Sequence, residues 1–182
     1  MVGLNRVFVA VSPPEEVRLA MADKLSVQRL PGKTAPPHNW HITLRFLGRI
    51  DTLTYERFLS AMDQSALAGP FALRLGPLGA FPRTTRATVL WVGVTSGADR
   101  LGQLATIADE CAQVAGLTSE ERPFHPHLTL SRIRPPQDVT VLIDDSEGLG
   151  IGWRCDELVV YQSHLGGGDP RYEALERMPL TP

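Results

Sequence analysis

Residues 39–48 read NWHITLRFLG, an alternation of apolar and polar side chains that closes on a glycine. A period of two marks a β-strand with one buried face. Successive strand side chains point to opposite faces, so Ile42 and Leu44 face a core while His41 and Thr43 share the other side. The same His-x-Thr-Leu pattern returns at 127–130, inside ERPFHPHLTLSR (121–132). There Leu128 and Leu130 face the core, and His127 and Thr129 stand together on the opposite face. The chain holds only five histidines. Its composition gives about 0.05 such matches by chance, so two of them are a signal. One such strand in each half points to an internal duplication with pseudo-twofold symmetry.

Around these strands the pattern continues in both directions. RVFVAV (6–11) is a β-branched strand, and SPPEE (12–16) opens a helix. Ser12 is the predicted N-cap, with Pro13 and Pro14 in the first turn and Glu15 and Glu16 favourable to the dipole. That helix must stop by Pro31. A second helix is predicted over 51–67, capped by Asp51 or Thr52. Strands over 71–81 and 87–94 flank a loop holding Pro82, Arg83 and Arg86. Residues 99–115 carry a helical apolar stripe that ends at Gly116. After the strand at 127–133, residues 134–152 read as a loop with a weak helix. A single strand is predicted over 153–163. Residues 171–178 read as a last strand or a short helix, after the turn at Gly166, Gly167 and Gly168. Strands and helices in this order predict an α+β fold with mainly antiparallel sheets, not a doubly wound parallel sheet.

A length of 182 residues suits one domain, or two small lobes sharing a core. No apolar run approaches a membrane span. The opening MVGLNRVFVAVSPPEE lacks the basic lead-in and long apolar stretch of a secretory signal. A cytoplasmic protein is expected. Cys111 and Cys155 are isolated and read as small apolar core residues. Of 18 basic residues, sixteen are arginine, yet the net charge is −2. No global positive field draws in nucleic acid, so an RNA ligand would be gripped locally. No large exposed apolar stripe is evident, and a monomer is the default.

The two motif strands, set side by side, would present two imidazoles and two hydroxyls to one phosphate. That set suits in-line displacement at phosphorus, where attacking and leaving oxygens lie on opposite sides. One neutral imidazole takes a proton from water, and the other, protonated, gives one to the departing oxygen. The hydroxyls of Thr43 and Thr129 are placed to hold the non-bridging oxygens. A metal site built from His125 and His127, with His41 or His38, is the chemical rival. It has no Asp, Glu or Cys at matching spacing and gives the repeated threonines no task, so no metal or other cofactor is expected.

HITLRFLG (41–48) and PHLTLSR (126–132) resemble the two signatures of the two-histidine phosphoesterases. The nearest branch is the bacterial and archaeal RNA 2′,3′-cyclic phosphodiesterases, historically called 2′-5′ RNA ligases. RVFVAVSPP, GAFP (79–82) with VLWVGV (89–94), and LVVYQSHLGGGDPRYEAL (158–175) fall in the family's order. The resemblance covers nearly the whole chain. It implies one bilobal α+β domain over 1–182, with two mainly antiparallel sheets, flanking helices and a central cleft. It also implies metal-independent opening of a terminal 2′,3′-cyclic phosphate to a 2′-phosphate, with RNA 3′ ends or small nucleotides as ligands. By the same resemblance His41 is the proton donor, His127 the proton acceptor, and Thr43 and Thr129 bind phosphate; the donor and acceptor roles exchange in reverse ligation. Spacing alone does not assign them.

Arg132 is a further candidate phosphate contact, although strict alternation puts it on the face opposite His127. Phe46 and Phe124 are candidates for base stacking or for core packing. His125 reads as cleft rim or surface, and Arg83 and Arg86 as phosphate path or solvated loop. His38 and His164 have no assigned task. Two rival functions remain open on sequence alone. One is a 2′-5′ oligonucleotide or cyclic nucleotide phosphodiesterase. The other is a nucleotide- or RNA-binding module with little turnover, which would not require an acid–base pair.

Overall fold

The computed structural model describes residues 4–181. Nine strands run in chain order: β1 (Leu4–Val11), β2 (Lys33–Thr34), β3 (Ile42–Ile50), β4 (Phe71–Phe81), β5 (Ala87–Ser96), β6 (His127–Gln137), β7 (Gly152–Cys155), β8 (Glu157–His164) and β9 (Arg171–Pro179). The helices are α1 (Glu15–Ser26), α2 (Thr52–Asp63), α3 (Ala98–Val114) and the short α4 (Thr140–Asp144). Single 3-10 turns lie at Pro37–Asn39 and Thr84–Arg86.

Every strand pairing is antiparallel, in the order β7-β4-β5-β6-β3-β1-β8-β9, with β2 pairing β6 beside β3. The sheet has two halves, β7-β4-β5-β6 and β3-β1-β8-β9. They join through one bridge, Ile42 opposite Leu128. Beyond it β3 and β6 diverge, and β2 takes up the freed edge of β6 through Lys33 opposite Arg132 and Thr34 opposite Ser131. In each half a strand–helix–strand unit, β1-α1-β3 or β5-α3-β6, puts the His-x-Thr strand at the inner edge. This is the duplication that the repeated motif announces.

The helices cover one face of the sheet. Val17, Met21 and Leu25 of α1, Phe58 and Met62 of α2, and Leu101, Leu104, Ala108 and Cys111 of α3 are buried there. They pack with Ile42, Leu44, Leu128, Leu130 and Val160 in one core cluster that spans both halves. Burying a Leu, Ile or Phe side chain is worth about 1.5–3 kcal/mol, so this cluster ties the two inner strands into one body. Both cysteines are buried and unpaired. Among the described residues no helix is long and apolar enough to cross a membrane.

Local chemistry explains most boundaries. Asp51 caps α2, its Oδ1 accepting from the Thr54 N–H at 2.7 Å. Gly116, at φ 95°, supplies the left-handed residue after α3. Two predictions need correction. Pro14, not Ser12, is the N-cap of α1, and it offers no side-chain bond. Ser12 instead hydrogen-bonds the Tyr161 hydroxyl at 2.9 Å. The strand predicted over 153–163 is two strands broken at Asp156, with β7 pairing β4 in one half and β8 pairing β1 in the other. Residues 171–178 are a strand, the first of the two readings their sequence allows, paired along β8 from His164 opposite Arg171 to Glu157 opposite Pro179.

Candidate active site

Continuing the antiparallel register one residue either side of Ile42 and Leu128 puts His41 across from Thr129 and Thr43 across from His127. All four lie on the face away from the core, and all four are partly exposed. The two imidazoles occupy one diagonal of this quartet and the two hydroxyls the other. Diagonal neighbours across antiparallel strands are about 7–8 Å apart, a gap that one phosphate fills. Neither threonine hydroxyl has a hydrogen-bond partner among the described residues.

Both rings are held the same way. His41 Nδ1–H donates to the Asn39 carbonyl at 2.7 Å, and His127 Nδ1–H donates to the His125 carbonyl at 2.7 Å. Each bond fixes the tautomer and leaves Nε2 as the working nitrogen. His41 rests against Phe8 at 4.9 Å and meets the edge of Tyr172 at 5.1 Å. His127 meets Phe81 edge-on at 5.0 Å and lies 6.0 Å from Trp91. The Trp91 indole lies over Gly79, where an added Cβ would come within 2.2 Å of the ring. Gly93 sits opposite His127, and a Cβ there would meet the edge of the same indole at 3.2 Å.

Burial in these aromatic walls pushes the His41 imidazole down to about 4, against the hydrogen bond to Asn39; the charges of His127 and Arg132 depress it further. His127 is also lowered, by burial first and then by His125 and Arg132, with the His125 carbonyl opposing. In the ligand-free protein both rings are therefore neutral at pH 7.

The sequence alternation predicts Arg132 on the wrong face, and a bulge corrects it. Leu90 pairs with Ser131 and Trp91 with Thr129, so Leu130 is an extra residue in β6. The phase flips after it. Ser131 becomes fully buried, and Arg132 emerges on the cleft face beside Val89. Arg132 is exposed and has no carboxylate or hydrogen-bond partner among the described residues. The equivalent bulge occurs in β3. Val9 pairs with Arg45 and Ala10 with Thr43, leaving Leu44 extra. Arg45 turns inward, 8% exposed, and Phe46 turns to the cleft face, 58% exposed and 5.8 Å from Phe8. Inside, Arg45 pairs with Asp109 at 2.7 Å and donates to the carbonyls of Phe46 and Thr118.

The remaining candidates scatter. Phe124 packs against the main core, the second of the two roles its sequence context allows. His125 is exposed on the rim, its ring 4.9 Å from Trp91. Arg83 and Arg86 are exposed at the tip of the β4–β5 hairpin, and His38 is exposed. His164 pairs with Glu173 at 2.7 Å. Phe8, Phe81, Trp91 and Tyr172 line the site without any sequence signal. Each reads as an ordinary strand aromatic until the cross-strand register is known.

Comparison with known proteins follows the same lines. The family model described as the 2′-5′ RNA ligase superfamily matches residues 13–167. The RNA 2′,3′-cyclic phosphodiesterase of Aeropyrum pernix is 37% identical over 134 residues, covering 69% of this chain and 72% of the relative. The protein of that name from Escherichia coli K12 is 30% identical over 179 residues, covering 97% of each chain. The crystal structure of E. coli LigT complexed with 3′-AMP superposes with a TM-score of 0.80 at 27% identity, covering 98% of this chain and 99% of that one. LigT has also been solved with NADP+ and with ATP.

Proposed function

The chain belongs to the 2′-5′ RNA ligase superfamily, and from that premise we propose that it is an RNA 2′,3′-cyclic phosphodiesterase, a hydrolase that opens a terminal 2′,3′-cyclic phosphate to a 2′-phosphomonoester. The observation that carries this reading is the diagonal quartet of His41, His127, Thr43 and Thr129 about the Ile42–Leu128 bridge. In-line displacement needs an acid and a base on opposite sides of one phosphorus, and the diagonal supplies them. The names of the Aeropyrum and E. coli relatives support the same substrate.

In this mechanism the cyclic diester lies between the two rings, its non-bridging oxygens on the Thr43 and Thr129 hydroxyls and on the Arg132 guanidinium. Neutral His127 takes a proton from a water molecule through Nε2 as the water oxygen bonds to phosphorus. The bond from phosphorus to the 3′-oxygen breaks, and His41, carrying a proton on Nε2, protonates that oxygen. One water is consumed, and the product holds a 2′-phosphate and a free 3′-hydroxyl. A His41 ring depressed to about 4 is a poor proton carrier in the free protein. The bound phosphate anion reverses this by favouring the imidazolium and offsetting Arg132, so substrate binding loads the acid. Acid, base and anion contacts come from side chains, and the proposed reaction runs without metal.

The four phosphate-facing residues come from both halves of the sheet, so we read the 182 residues as one bilobal functional unit acting as a monomer in the cytoplasm. Phe46 and the Trp91–Phe81 pair are the surfaces on which a base would stack. The test is an RNA oligonucleotide ending in a 2′,3′-cyclic phosphate, incubated with EDTA, its product followed by 31P NMR. A 2′-phosphate is expected. A 3′-phosphate product would refute the regiochemistry, and a reaction that runs only with added metal would refute the mechanism.

A further inference from the structure

The two imidazoles are anchored alike but not equally. Behind His127 the accepting residue, His125, is exposed, and Pro126 lies between them. Behind His41 the accepting residue, Asn39, is itself buried, at 6% exposure. Its side-chain amide donates to the Pro170 carbonyl at 2.7 Å, a contact between residues 131 apart in sequence. Pro170 lies in the turn joining β8 and β9. Beside it Asp169 pairs with Lys33 at 2.8 Å. Two residues further on, the Tyr172 ring stands edge-on to His41 at 5.1 Å and to Phe8 at 5.2 Å. The β8–β9 hairpin therefore reaches His41 by two routes, through packing at Tyr172 and through hydrogen bonding at Asn39.

We infer that Asn39 is a positioning residue for His41, and that with Tyr172 it lets the β8–β9 hairpin set the orientation and tautomer of the first imidazole. The inference deepens the proposed function and rests on His41 as an acid–base group. Its physical basis is local. The carbonyl that accepts from Nδ1 belongs to the 3-10 turn Pro37–Asn39, closed by Asn39 N–H to Pro36 at 2.9 Å and Trp40 N–H to Pro37 at 3.2 Å. Prolines 36 and 37 stiffen the near side of that turn, and the Asn39 amide is the bond that ties its far side to the hairpin. The Lys33–Asp169 pair is exposed and contributes little, so the buried amide carries the coupling. A side chain misplaced by about 1 Å costs a reaction of this kind on the order of a hundredfold.

The experiment combines imidazole 15N NMR with turnover of a cyclic-phosphate oligonucleotide. In the unaltered protein both rings should show the Nδ1–H tautomer. In Asn39→Ala the His41 nitrogens should move toward the averaged shifts of mixed tautomers while those of His127 stay. The same variant should lose about ten- to hundredfold in kcat, with KM changed by less than about threefold. Tyr172→Ala should disturb the His41 signals, and Tyr172→Phe, which keeps the ring edge, should restore them. Unchanged His41 signals in Asn39→Ala would overturn the inference, as would equal movement of both histidines, the signature of a loosened fold. If Asn39→Ala does not fold, identical His41 spectra in the two Tyr172 variants would overturn it instead. Full activity in His41→Ala would refute the catalytic reading of His41 while leaving the spectra to judge its positioning.

Discussion

Ile42 lies directly opposite Leu128, and among the described residues this bridge is the only pairing between the strands that carry the repeated motif. Its consequence is geometric. Two copies of His-x-Thr running antiparallel about one central pair must place histidine opposite threonine twice. Had the strands run parallel in register, the histidines would stand together on one side of a bound phosphate, which is useless for in-line chemistry. The antiparallel crossing converts a sequence repeat into an acid and a base on opposite sides of one site.

That arrangement predicts unequal rescue. His41→Ala and His127→Ala should each lower the rate on a terminal cyclic phosphate by about 10²–10⁴. On an activated aryl phosphodiester, whose leaving group needs no proton, His41→Ala should recover most of its loss and His127→Ala should not. Steady-state assays of the two variants on both substrates decide it. The reverse pattern of rescue would exchange the two roles.

Arg132 faces the site with its charge unneutralised, and that charge contributes to the lowering of both imidazoles. Arg132→Ala should therefore raise the pKa of His41 and of His127, each read by NMR titration. It should also weaken binding of inorganic phosphate by about ten- to a hundredfold, the value of one charge-assisted hydrogen bond. Unmoved histidine titrations would show that the guanidinium acts elsewhere.

The outer architecture was legible because its signals are local. Alternation located β3, β4 and β5, the apolar stripe located α3, and the Asp51 cap located the start of α2. The His-x-Thr pairs could be placed on one face because the period of two holds across four residues. It fails at the fifth. Leu44 and Leu130 are bulged, and nothing in the residue types marks the slip, so strict alternation puts Arg132 on the wrong face and leaves Phe46 open between stacking and core packing. The break at Asp156 is hidden for a similar reason. WRCDELVVYQS is uniformly strand-like, and only pairing shows that its ends belong to different halves. Asn39 and Tyr172 could not be found from sequence, since their importance lies in contacts across more than a hundred residues.

The depressed imidazoles also govern acid stability. A histidine whose folded pKa lies below its unfolded value of 6.5 contributes no penalty above pH 6.5. As pH falls below that, the unfolded chain takes up a proton that the folded site refuses, and stability is lost until the pH passes the folded pKa near 4. For His41 the full loss is about 3 kcal/mol. His127 is shifted in the same direction and adds to it. Urea unfolding at pH 7, 5.5 and 4 should show this decline, and His41→Gln should flatten it between pH 6.5 and 4. An equally steep decline in the variant would assign the effect to other groups.

The β3 bulge depends on what its inward residue finds. Ser131 enters the core as a small hydroxyl, but at the equivalent position β3 must bury a guanidinium, and Asp109 of α3 meets it at 2.7 Å. Asp109 is itself fixed by the Ser119 hydroxyl at 2.8 Å and the Glu120 N–H at 2.9 Å. These bonds and the Arg45 charge hold its carboxyl below the usual range against the opposing effect of burial. Removing one partner of such a pair strands the other, at a cost of about 3–5 kcal/mol when both are buried. Asp109 retains some solvent and other donors, so Arg45→Met should lower the unfolding free energy by about 3 kcal/mol, the bottom of that range. Asp109→Asn, which keeps the shape and part of the hydrogen bonding, should cost less. Urea denaturation at pH 7 measures both. A loss below about 1 kcal/mol in Arg45→Met, the level of an exposed pair, would mean that the bulge holds itself without its ion pair.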